Sequence, residues 1–362
     1  MKFKLADLCD YAREKITIEE VDERSYISTE NLLPNKNGVT VASSVPNVKY
    51  AKSFKVGNVL VSNIRPYFRK IWYATFDGGC SNDVLVFRSK STVSSKFLYY
   101  VLADDKFFNY ATATSKGTKM PRGDIKAIME YSVPDIPHDA QIKIADLLSV
   151  IDDKIASNRA INKNLEEQVS AIYQAWFEDF SCSDGIRPYE WTMFPLADIA
   201  DVTSGKRPPV KSTYQTKETP IPILGASSIM GFTSVENYSD HILVIGRVGT
   251  HGIVQRFNGS CWASDNTLVI RSKFYEYVNQ ILQRVDYHAM NRGSTQPLIT
   301  QSDIKNVAVL LPDHTTLSKF EKIAASLMAV YESNLLESTK LIALRDTLLP
   351  RLMSGELDVS SI

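Results

Sequence analysis

The stretch IADLLSVIDDKIASNRAINKNLEEQVSAIYQAW, residues 144–176, decides the fold of this chain. It contains no glycine or proline, and apolar or amide side chains recur in it at alternating spacings of four and three residues. That spacing is the heptad pattern of a helix that packs along a partner helix. We therefore predict one long helix, whose seam consists of Ile144, Leu148, Ile151, Ile155, Asn158, Asn162, Leu165, Val169, Ile172 and Trp176.

A second stretch near the end of the sequence repeats the pattern. Its predicted seam consists of Ile323, Leu327, Val330, Asn334, Glu337, Leu341, Leu344 and Leu348. An apolar seam of this length needs a partner, so we expect the two helices to pack antiparallel against each other. The polar seam positions, Asn158 among them, have two interpretations. They form either a solvated edge where the helices splay apart or a lock on the helix register, since a buried Asn is stable only opposite a complementary partner.

The long helices belong to a duplicated unit. FKLADLCD from Phe3 returns as FPLADIAD from Phe194, and CSNDVLVFRSK from Cys80 returns as ASDNTLVIRSK from Ala263. Two further pairs keep the same order: GTKMPRGDIK with GSTQPLITQSDIK, and VPDIPHDAQIKIADLL with LPDHTTLSKFEKIAASL. These pairs lie about 180 residues apart, which is far too long for a solenoid repeat. The repeated unit is therefore a whole domain followed by a helix.

The segments that precede the two helices differ from them in texture. Short β-rich runs such as VGNVLVSNI and NDVLVFRS alternate there with Gly, Pro and Asn and with helical stretches. The sequence therefore predicts an α+β fold: two similar mixed α/β globular domains joined by two long antiparallel coiled-coil helices, with a pseudo-two-fold internal repeat. We place the first domain at 1–137, the central helix at 138–182, the second domain at 183–312, and the C-terminal helix with its tail at 313–362.

The composition excludes several classes of protein. The 362 residues are 44% hydrophobic and 23% charged, as in soluble globular proteins rather than disordered or collagen-like chains. The four cysteines are far apart and form no CxxC pair, which favours free thiols in a reducing cytoplasm over disulfides or a zinc site. No apolar run is long enough to span a membrane. We therefore expect a cytoplasmic protein that holds no metal.

The distribution of charge is more informative than its sum. The chain carries 41 basic and 41 acidic residues, yet residues 31–76 contain seven Lys or Arg and no Asp or Glu. Bases interleaved with aromatic and amide side chains, as in NIRPYFRKIWY from Asn63, suit contacts with phosphates and base edges. A solvated basic face is the alternative interpretation. The second domain is less basic, so its contacts are harder to select.

These features give a set of candidate DNA contacts. In the first domain they are Lys49, Lys52, Asn63, Arg65, Tyr67, Arg69, Lys70, Lys116, Lys119 and Arg122. In the second domain they are Arg207, Ser227, Arg247, His251, Arg256, Arg292 and Gln296. Two such domains joined by a rigid spacer suit a duplex with two half-sites.

No catalytic motif fits its predicted structural context. Pro134-Asp135 with Asp152-Asp153-Lys154 is similar to a nuclease motif, but such nucleases need these groups on adjacent strands around a metal, and here the second half lies on the heptad helix. GRVGTHG from Gly246 lacks the Lys-Ser/Thr of a phosphate-binding loop. The chain also lacks an FxGxG-like loop and a [DNS]-Pro-Pro-[YF] tetrapeptide, so we expect no methylation chemistry. The sequence predicts a non-enzymatic chain.

The chain resembles the specificity subunit of type I restriction–modification systems along nearly its whole length. The resemblance rests on the domain–helix–domain–helix order, the duplication, and four segments taken together. These segments are IRPYFRKIWYA from Ile64, SNDVLVFRSK from Ser81, the helix from Ile144, and LRDTLLPRLMSGELDVS from Leu344. None of them is a short catalytic signature.

The resemblance implies a non-catalytic reader of double-stranded DNA with two target recognition domains. Each domain would read one half of a bipartite, asymmetric site, and the helices would set the gap. The implied partners are two modification subunits, which bind S-adenosylmethionine and methylate adenine, and restriction subunits that use ATP and Mg; this chain itself would hold no cofactor. A standalone nuclease and a coiled-coil interaction protein are the alternatives.

Overall fold

The structure, a computed structural model, describes residues 3–248, 252–290 and 298–359. It divides into two compact units. The first unit comprises the residues up to Asn158 together with those from Leu336 onward, and the second comprises Arg159–Leu335. Each unit therefore contains one globular domain and one part of each long helix.

The described ranges contain eight α-helices, two of them 40 residues long. In chain order they are α1 (Leu5–Leu8), α2 (Ser95–Ala103), α3 (Asp105–Ala113), α4 (Ile125–Met129), α5 (His138–Phe177), α6 (Tyr275–Arg284), α7 (Gln301–Lys305) and α8 (His314–Met353). The long helices α5 and α8 are the two that the heptad pattern predicts. Of the helices described, none combines the length and the apolar character needed to cross a membrane.

The first unit is built from short, mostly antiparallel strands. They are β1 (Phe3–Lys4), β2 (Cys9–Tyr11), β3 (Lys15–Thr17), β4 (Tyr26–Ile27), β5 (Tyr50–Phe54), β6 (Val59–Ser62), β7 (Ile71–Tyr73), β8 (Gly78–Cys80), β9 (Val84–Ser89) and β10 (Ser132–Val133). They form two four-stranded sheets, β2-β9-β6-β7 and β3-β5-β8-β4, and the pair β1-β10. Strand β6 is buried on both faces. Val59 and Val61 pack on one face in an apolar cluster with the helices, and Leu60 packs on the other face in a second cluster with Phe54 and Trp72.

The second unit repeats this architecture. Its strands are β11 (Thr192–Pro195), β12 (Asp201–Ser204), β13 (Ile221–Leu224), β14 (Ile229–Thr233), β15 (Ile242–Gly246), β16 (Val254–Phe257), β17 (Trp262–Ala263), β18 (Thr267–Arg271) and β19 (Ala308–Leu311). The sheet β12-β18-β15-β16 matches β2-β9-β6-β7, and β11-β19 matches β1-β10. Strand β15 is likewise buried on both faces, through Leu243 and Ile245 on one side and Val244 on the other. The predicted duplication is confirmed.

Helices α5 and α8 run antiparallel within each unit. In the first unit Asp152 bonds Arg345, and further along α5 Asn158 bonds Glu337, earlier on α8. In the second unit the rings of Tyr173 and Phe320 lie 6.0 Å apart, near the end of α5 and the start of α8. The predicted antiparallel pairing is therefore confirmed in both units.

The polar seam residues of α5 are buried and paired, and their partners Asn334 and Glu337 on α8 are partly exposed. Asn158 is 1% exposed and donates to Glu337 at 2.8 Å. Asn162 is 6% exposed; it donates to the Tyr331 carbonyl at 3.1 Å and accepts from Asn334 at 2.9 Å. Amides with complementary partners in an apolar seam lock the register. The structure thus favours the lock over the solvated edge.

The predicted seam is correct on α5 as far as Val169. On α8 it is displaced by one residue towards both ends of the helix, whereas Asn334 and Glu337 in the middle contact α5 as predicted. Near the end of α5, Tyr173 and Phe177 are buried while Ile172 and Trp176 are only partly so. On α8 three predicted seam residues are exposed, namely Ile323 (38%), Val330 (48%) and Leu344 (48%). Four residues that were not predicted are buried instead: Ala324, Met328, Arg345 and Leu349. Leu327, Leu341 and Leu348 are partly buried. Two apolar registers lie side by side on α8, and the fully buried Phe320 selects the later one.

Candidate nucleic-acid interface

Two basic loops of the first unit meet beyond the end of β6. One loop, residues 63–70, follows β6 directly, and the other, residues 114–124, follows α3. The Arg65 N–H donates to the Pro121 carbonyl at 2.8 Å, and the Gly123 N–H donates to the Asn63 carbonyl at 3.0 Å. The structure therefore joins two predicted groups of DNA contacts in one surface, which we call the two-loop surface.

The first of these loops has an unusual backbone. Arg65 (φ 49°) and Arg69 (φ 52°) both adopt the left-handed conformation, which is uncommon for residues other than glycine. So do Asn35 (φ 57°) and Lys36 (φ 62°), whose N–H groups donate to the Phe68 and Arg69 carbonyls at 2.8 and 2.9 Å. Such conformations cost about 1–3 kcal/mol each and persist where the surroundings impose them, often at functional sites.

The exposed side chains of the two-loop surface are cationic and aromatic. Lys116 is 81% exposed beside Asp124, and Arg122 is 57% exposed with Asp83 at 3.1 Å. The hydrogen bond from Lys116 holds the pKa of the Asp124 carboxyl below its usual value. The other exposed members are Lys119, Tyr67 and Phe68, of which Phe68 was not predicted. The ring centroids of Tyr67 and Phe68 lie 4.8 Å apart. Exposed cations suit contacts with phosphates, and exposed rings suit stacking with bases.

Three predicted contacts in this domain point inward. The Lys52 ammonium donates to the Asn82 carbonyl at 3.0 Å and that of Lys70 donates to the Thr29 carbonyl; burial lowers the pKa of both. Asn63 is buried against Gly123, where a Cβ would lie 2.8 Å from its side-chain oxygen. The structure gives these residues internal contacts in place of the predicted exposure. Lys49 is exposed at the start of β5, with its ammonium 5.4 Å from the Tyr50 ring.

The second unit has an equivalent loop junction beyond β15. The Arg247 N–H donates to the Asn266 carbonyl at 2.9 Å, and the Ile299 N–H donates to the Arg247 carbonyl at 3.0 Å. In the first unit Asn63 makes the same pair of backbone contacts. The junction itself is therefore duplicated. Of the candidate contacts around it, His251, Arg292 and Gln296 lie outside the described residues.

Arg256 is an internal residue rather than an exposed one. Its two terminal nitrogens donate to the two carboxylate oxygens of Glu276 at 2.5 and 2.6 Å, and its guanidinium lies 5.1 Å from the Tyr275 ring centroid. Its side chain is 12% exposed and that of Glu276 is 5% exposed. Arg256 and Glu276 thus pair with each other inside the unit, so the structure gives this candidate contact an internal partner in place of the predicted exposure. Arg207 and Ser227 are exposed, as their prediction requires.

Two residues of the nuclease-like motif, Asp152 and Lys154, contact α8. Asp152 accepts from Arg345 at 2.8 Å and from the Tyr100 hydroxyl at 2.9 Å. Lys154 pairs with Glu337 at 3.2 Å. Within the described ranges, no group of three or more His, Cys, Asp or Glu side chains is arranged to hold a metal ion.

Comparisons with known proteins agree on one family. The family model described as the type I restriction modification DNA specificity domain matches residues 1–167 and again 188–345. The MjaIX specificity subunit of Methanocaldococcus jannaschii is 24% identical over 311 residues, covering 75% of this chain and 71% of that protein. The HindI specificity subunit of Haemophilus influenzae is 21% identical over an alignment that covers 98% of this chain and 99% of that protein.

The fold also has a solved counterpart. The crystal structure of the type I restriction–modification S subunit from M. genitalium superposes with a TM-score of 0.59 at 18% identity. The match covers 99% of this chain and 96% of that one. At this level of identity the likeness shows a shared fold.

Proposed function

The chain belongs to the family defined by the type I restriction modification DNA specificity domain, and we propose that its two units each read one half of a bipartite, asymmetric DNA site. As a family member the chain is a DNA-recognition component of a restriction–modification system and not its catalyst. The family model matches twice, once in each repeat. Two similar but non-identical readers suit two different half-sites.

The two-loop surface is the observation that carries this proposal. It presents Lys116, Lys119 and Arg122 together with the exposed Tyr67 and Phe68. Cations supply the sequence-independent attraction to phosphates, while side chains that reach base edges supply specificity. The equivalent junction around Arg247 supports a reader at the same place in the second unit.

The helix pair supports a spacer between the half-sites. Each long helix has 40 residues, which corresponds to about 60 Å at 1.5 Å per residue. The bonds of Asn158 and Asn162 fix the pairing of α5 with α8 in the respective units. A helix pair of fixed register can hold a fixed gap.

The partners we propose are the two modification subunits and the restriction subunits of such a system. The long helices expose large apolar side chains, namely Val150 (68%), Leu336 (57%), Leu335 (48%), Val330 (48%) and Leu344 (48%). Exposed apolar patches are typical of protein-binding surfaces. We propose that modification subunits dock there and bring S-adenosylmethionine, and that ATP and Mg belong to the restriction subunits, with no cofactor in this chain.

Selection from random DNA tests the reading function. The full chain is incubated with duplexes that carry a randomised central region, and the bound duplexes are sequenced. We expect two short preferred sequences at a fixed separation, with an affinity that falls with salt at a log–log slope of about −0.9 per phosphate contact. Binding without sequence preference would contradict the proposal. Metal-dependent cleavage of the duplexes would favour a nuclease. Absence of DNA binding would favour a coiled-coil interaction protein.

Insertions in the helices test the spacer. Seven residues added to both α5 and α8 keep the seam aligned and add about 10.5 Å, which is roughly three base pairs. We expect a longer gap between unchanged half-sites. Four residues added to α5 alone rotate the seam by about 40° and should damage folding. A gap that stays constant after matched seven-residue insertions would show that the helices are not the ruler.

A further inference from the structure

A series of ion pairs connects loop 63–70 of the two-loop surface with the interior of the first unit. One carboxylate oxygen of Asp105, in the first turn of α3, forms an ion pair with a terminal nitrogen of Arg69 at 3.0 Å. Its other carboxylate oxygen lies 2.9 Å from the Lys36 ammonium. The Lys36 side chain is only 6% exposed. A buried ammonium is stable only when it is paired, so Lys36 depends on this carboxylate.

The same series continues to the long helices. The Lys36 ammonium lies 3.9 Å from a carboxylate oxygen of Asp346 on α8, and that carboxylate accepts from Arg345 at 2.9 and 3.0 Å. Arg345 in turn bonds Asp152 of α5 at 2.8 Å. All of these residues belong to the first unit. Arg69 is thereby connected through side chains to both helices of the proposed spacer.

The backbone strengthens this connection. Lys36 donates its N–H to the Arg69 carbonyl at 2.9 Å, so it holds Arg69 by main chain as well as through Asp105. Lys36 and Arg69 both adopt the left-handed backbone conformation, which the surroundings must impose. Removing Asp105 would release the Arg69 side chain and leave the buried Lys36 short of a partner.

We propose that Asp105 and Lys36 are positioning residues that hold Arg69 and its loop in the geometry that reads DNA. This inference rests on the proposed function of the two-loop surface. Asp105 is 44% exposed beside Arg69, so its negative charge repels phosphates and lowers non-specific affinity. What it contributes instead is pre-organisation, because a guanidinium already fixed at one end loses less freedom when it meets its target. The Asp105 carboxylate therefore lowers affinity for DNA of any sequence and raises the preference for the recognised sequence.

The opposite signs of these two effects give the test. Affinities of the full chain are measured at one salt concentration for the best duplex selected from the random pool and for a scrambled duplex of equal length. We expect Asp105→Asn to lower the ratio of the two affinities by about fivefold to tenfold, while affinity for the scrambled duplex stays equal or rises. Lys36→Met should lower the ratio similarly, and Asp105→Glu should restore part of it.

Asp77→Asn is the matched control. Asp77 pairs with Lys55 in the same unit, but both side chains are more than half exposed, and Asp77 also accepts from the Val56 N–H before the start of β6, at the opposite end from the loop. This variant should leave both affinities unchanged. An equal fall of the ratio in Asp77→Asn would overturn the proposal, as would an unchanged ratio in Asp105→Asn.

A double mutant separates positioning from general damage. In an Arg69→Ala background the Asp105→Asn change should lower the ratio by less than it does in the unmodified chain, because the Arg69 side chain that it positions is gone. The same fall in both backgrounds, or an equal loss of affinity for both duplexes, would overturn the positioning role. If the unmodified chain selects no sequence from the pool, it is the proposed function that fails.

Discussion

The two units share a scaffold and differ in how they use arginine. In both, a strand buried on two faces, β6 or β15, leads to a junction with the same pair of backbone hydrogen bonds. Beyond it the first unit exposes Lys116, Lys119 and Arg122, with Arg122 at 57%. The second unit folds Arg256 inward onto Glu276, at 12% exposure. The scaffold is duplicated, whereas the surface chemistry is not.

The second unit exposes rings and aliphatic side chains, and its domain has fewer cations: residues 183–312 contain 12 Lys or Arg, against 20 in residues 1–137. Around the hairpin β13–β14 it exposes Tyr214 (77%) and Ile229 (52%), and Arg207 and Ser227 are also exposed nearby in the sequence. Fewer cations release fewer counterions on DNA binding. We therefore expect the first unit to contribute more of the salt-dependent affinity. Four sets of substitutions test this comparison.

The largest expected effect concerns Arg256. Arg256→Leu leaves the buried Glu276 carboxylate without its partner and should lower the free energy of unfolding by about 3–5 kcal/mol. Arg122→Leu in the first unit removes an exposed ion pair, which is worth at most about 1 kcal/mol. Urea unfolding followed by circular dichroism measures both. Equal losses of stability in the two variants would contradict the distinction between an internal and an exposed arginine.

The next effect concerns the corrected seam of α8. Met328→Ala in the second unit and Leu349→Ala in the first should each destabilise by about 2–4 kcal/mol, since they empty buried positions. Val330→Ala and Leu344→Ala, at exposed positions, should change stability by about 0.5 kcal/mol or less. The same urea unfolding applies. If the second pair proved as damaging as the first, the register predicted from the sequence would be the right one.

A smaller effect is expected in DNA binding. Arg65→Ala/Arg69→Ala should weaken binding of the selected duplex by about 1–3 kcal/mol for each base that these arginines read, and should relax preference in one half-site. Arg207→Ala should relax preference in the other half-site. Titration of labelled duplexes, with selection repeated for each variant, provides the measurement. Binding of unchanged strength and preference by the double variant would remove the two-loop surface from the DNA interface.

The smallest effect separates an exposed lysine from an internal one. Lys119→Ala should reduce the salt slope of binding by about one unit and leave base preference unchanged, as expected for a phosphate contact. Lys52→Met, which removes an ammonium that bonds internal carbonyls, should leave the salt slope unchanged. Affinities across a salt series decide. A lower slope in Lys52→Met would return this residue to the interface.

The sequence predicted the architecture because repeats and heptads are local patterns. The matching segments from Phe3 and Phe194 indicated two similar domains, and the α5 seam could be located to the residue as far as Val169. The α8 register could not be located in this way, because Ile323 and Ala324 begin two apolar registers of similar quality. Only packing against Phe320 distinguishes them, and that is a tertiary property.

The site was less predictable for the same physical reason. Arg65 and Arg256 carry the same charge in similar β-rich contexts, and Arg256 is internal because the fold places the Glu276 carboxylate beside it. Asp105 was missed because it is distant in sequence from both Arg69 and Lys36. The acid-free window did contain Lys36, yet nothing local in the sequence indicates that its ammonium is buried.

Exchange of one domain tests the central claim most directly. Residues 183–312 are replaced by the equivalent segment of another family member, and the sequence preference of the full chain is determined by selection from the random pool. Because each unit is proposed to read its own half-site, we predict that one half-site changes while the other half-site and the gap between them stay the same. A change in both half-sites would contradict independent reading by the two units.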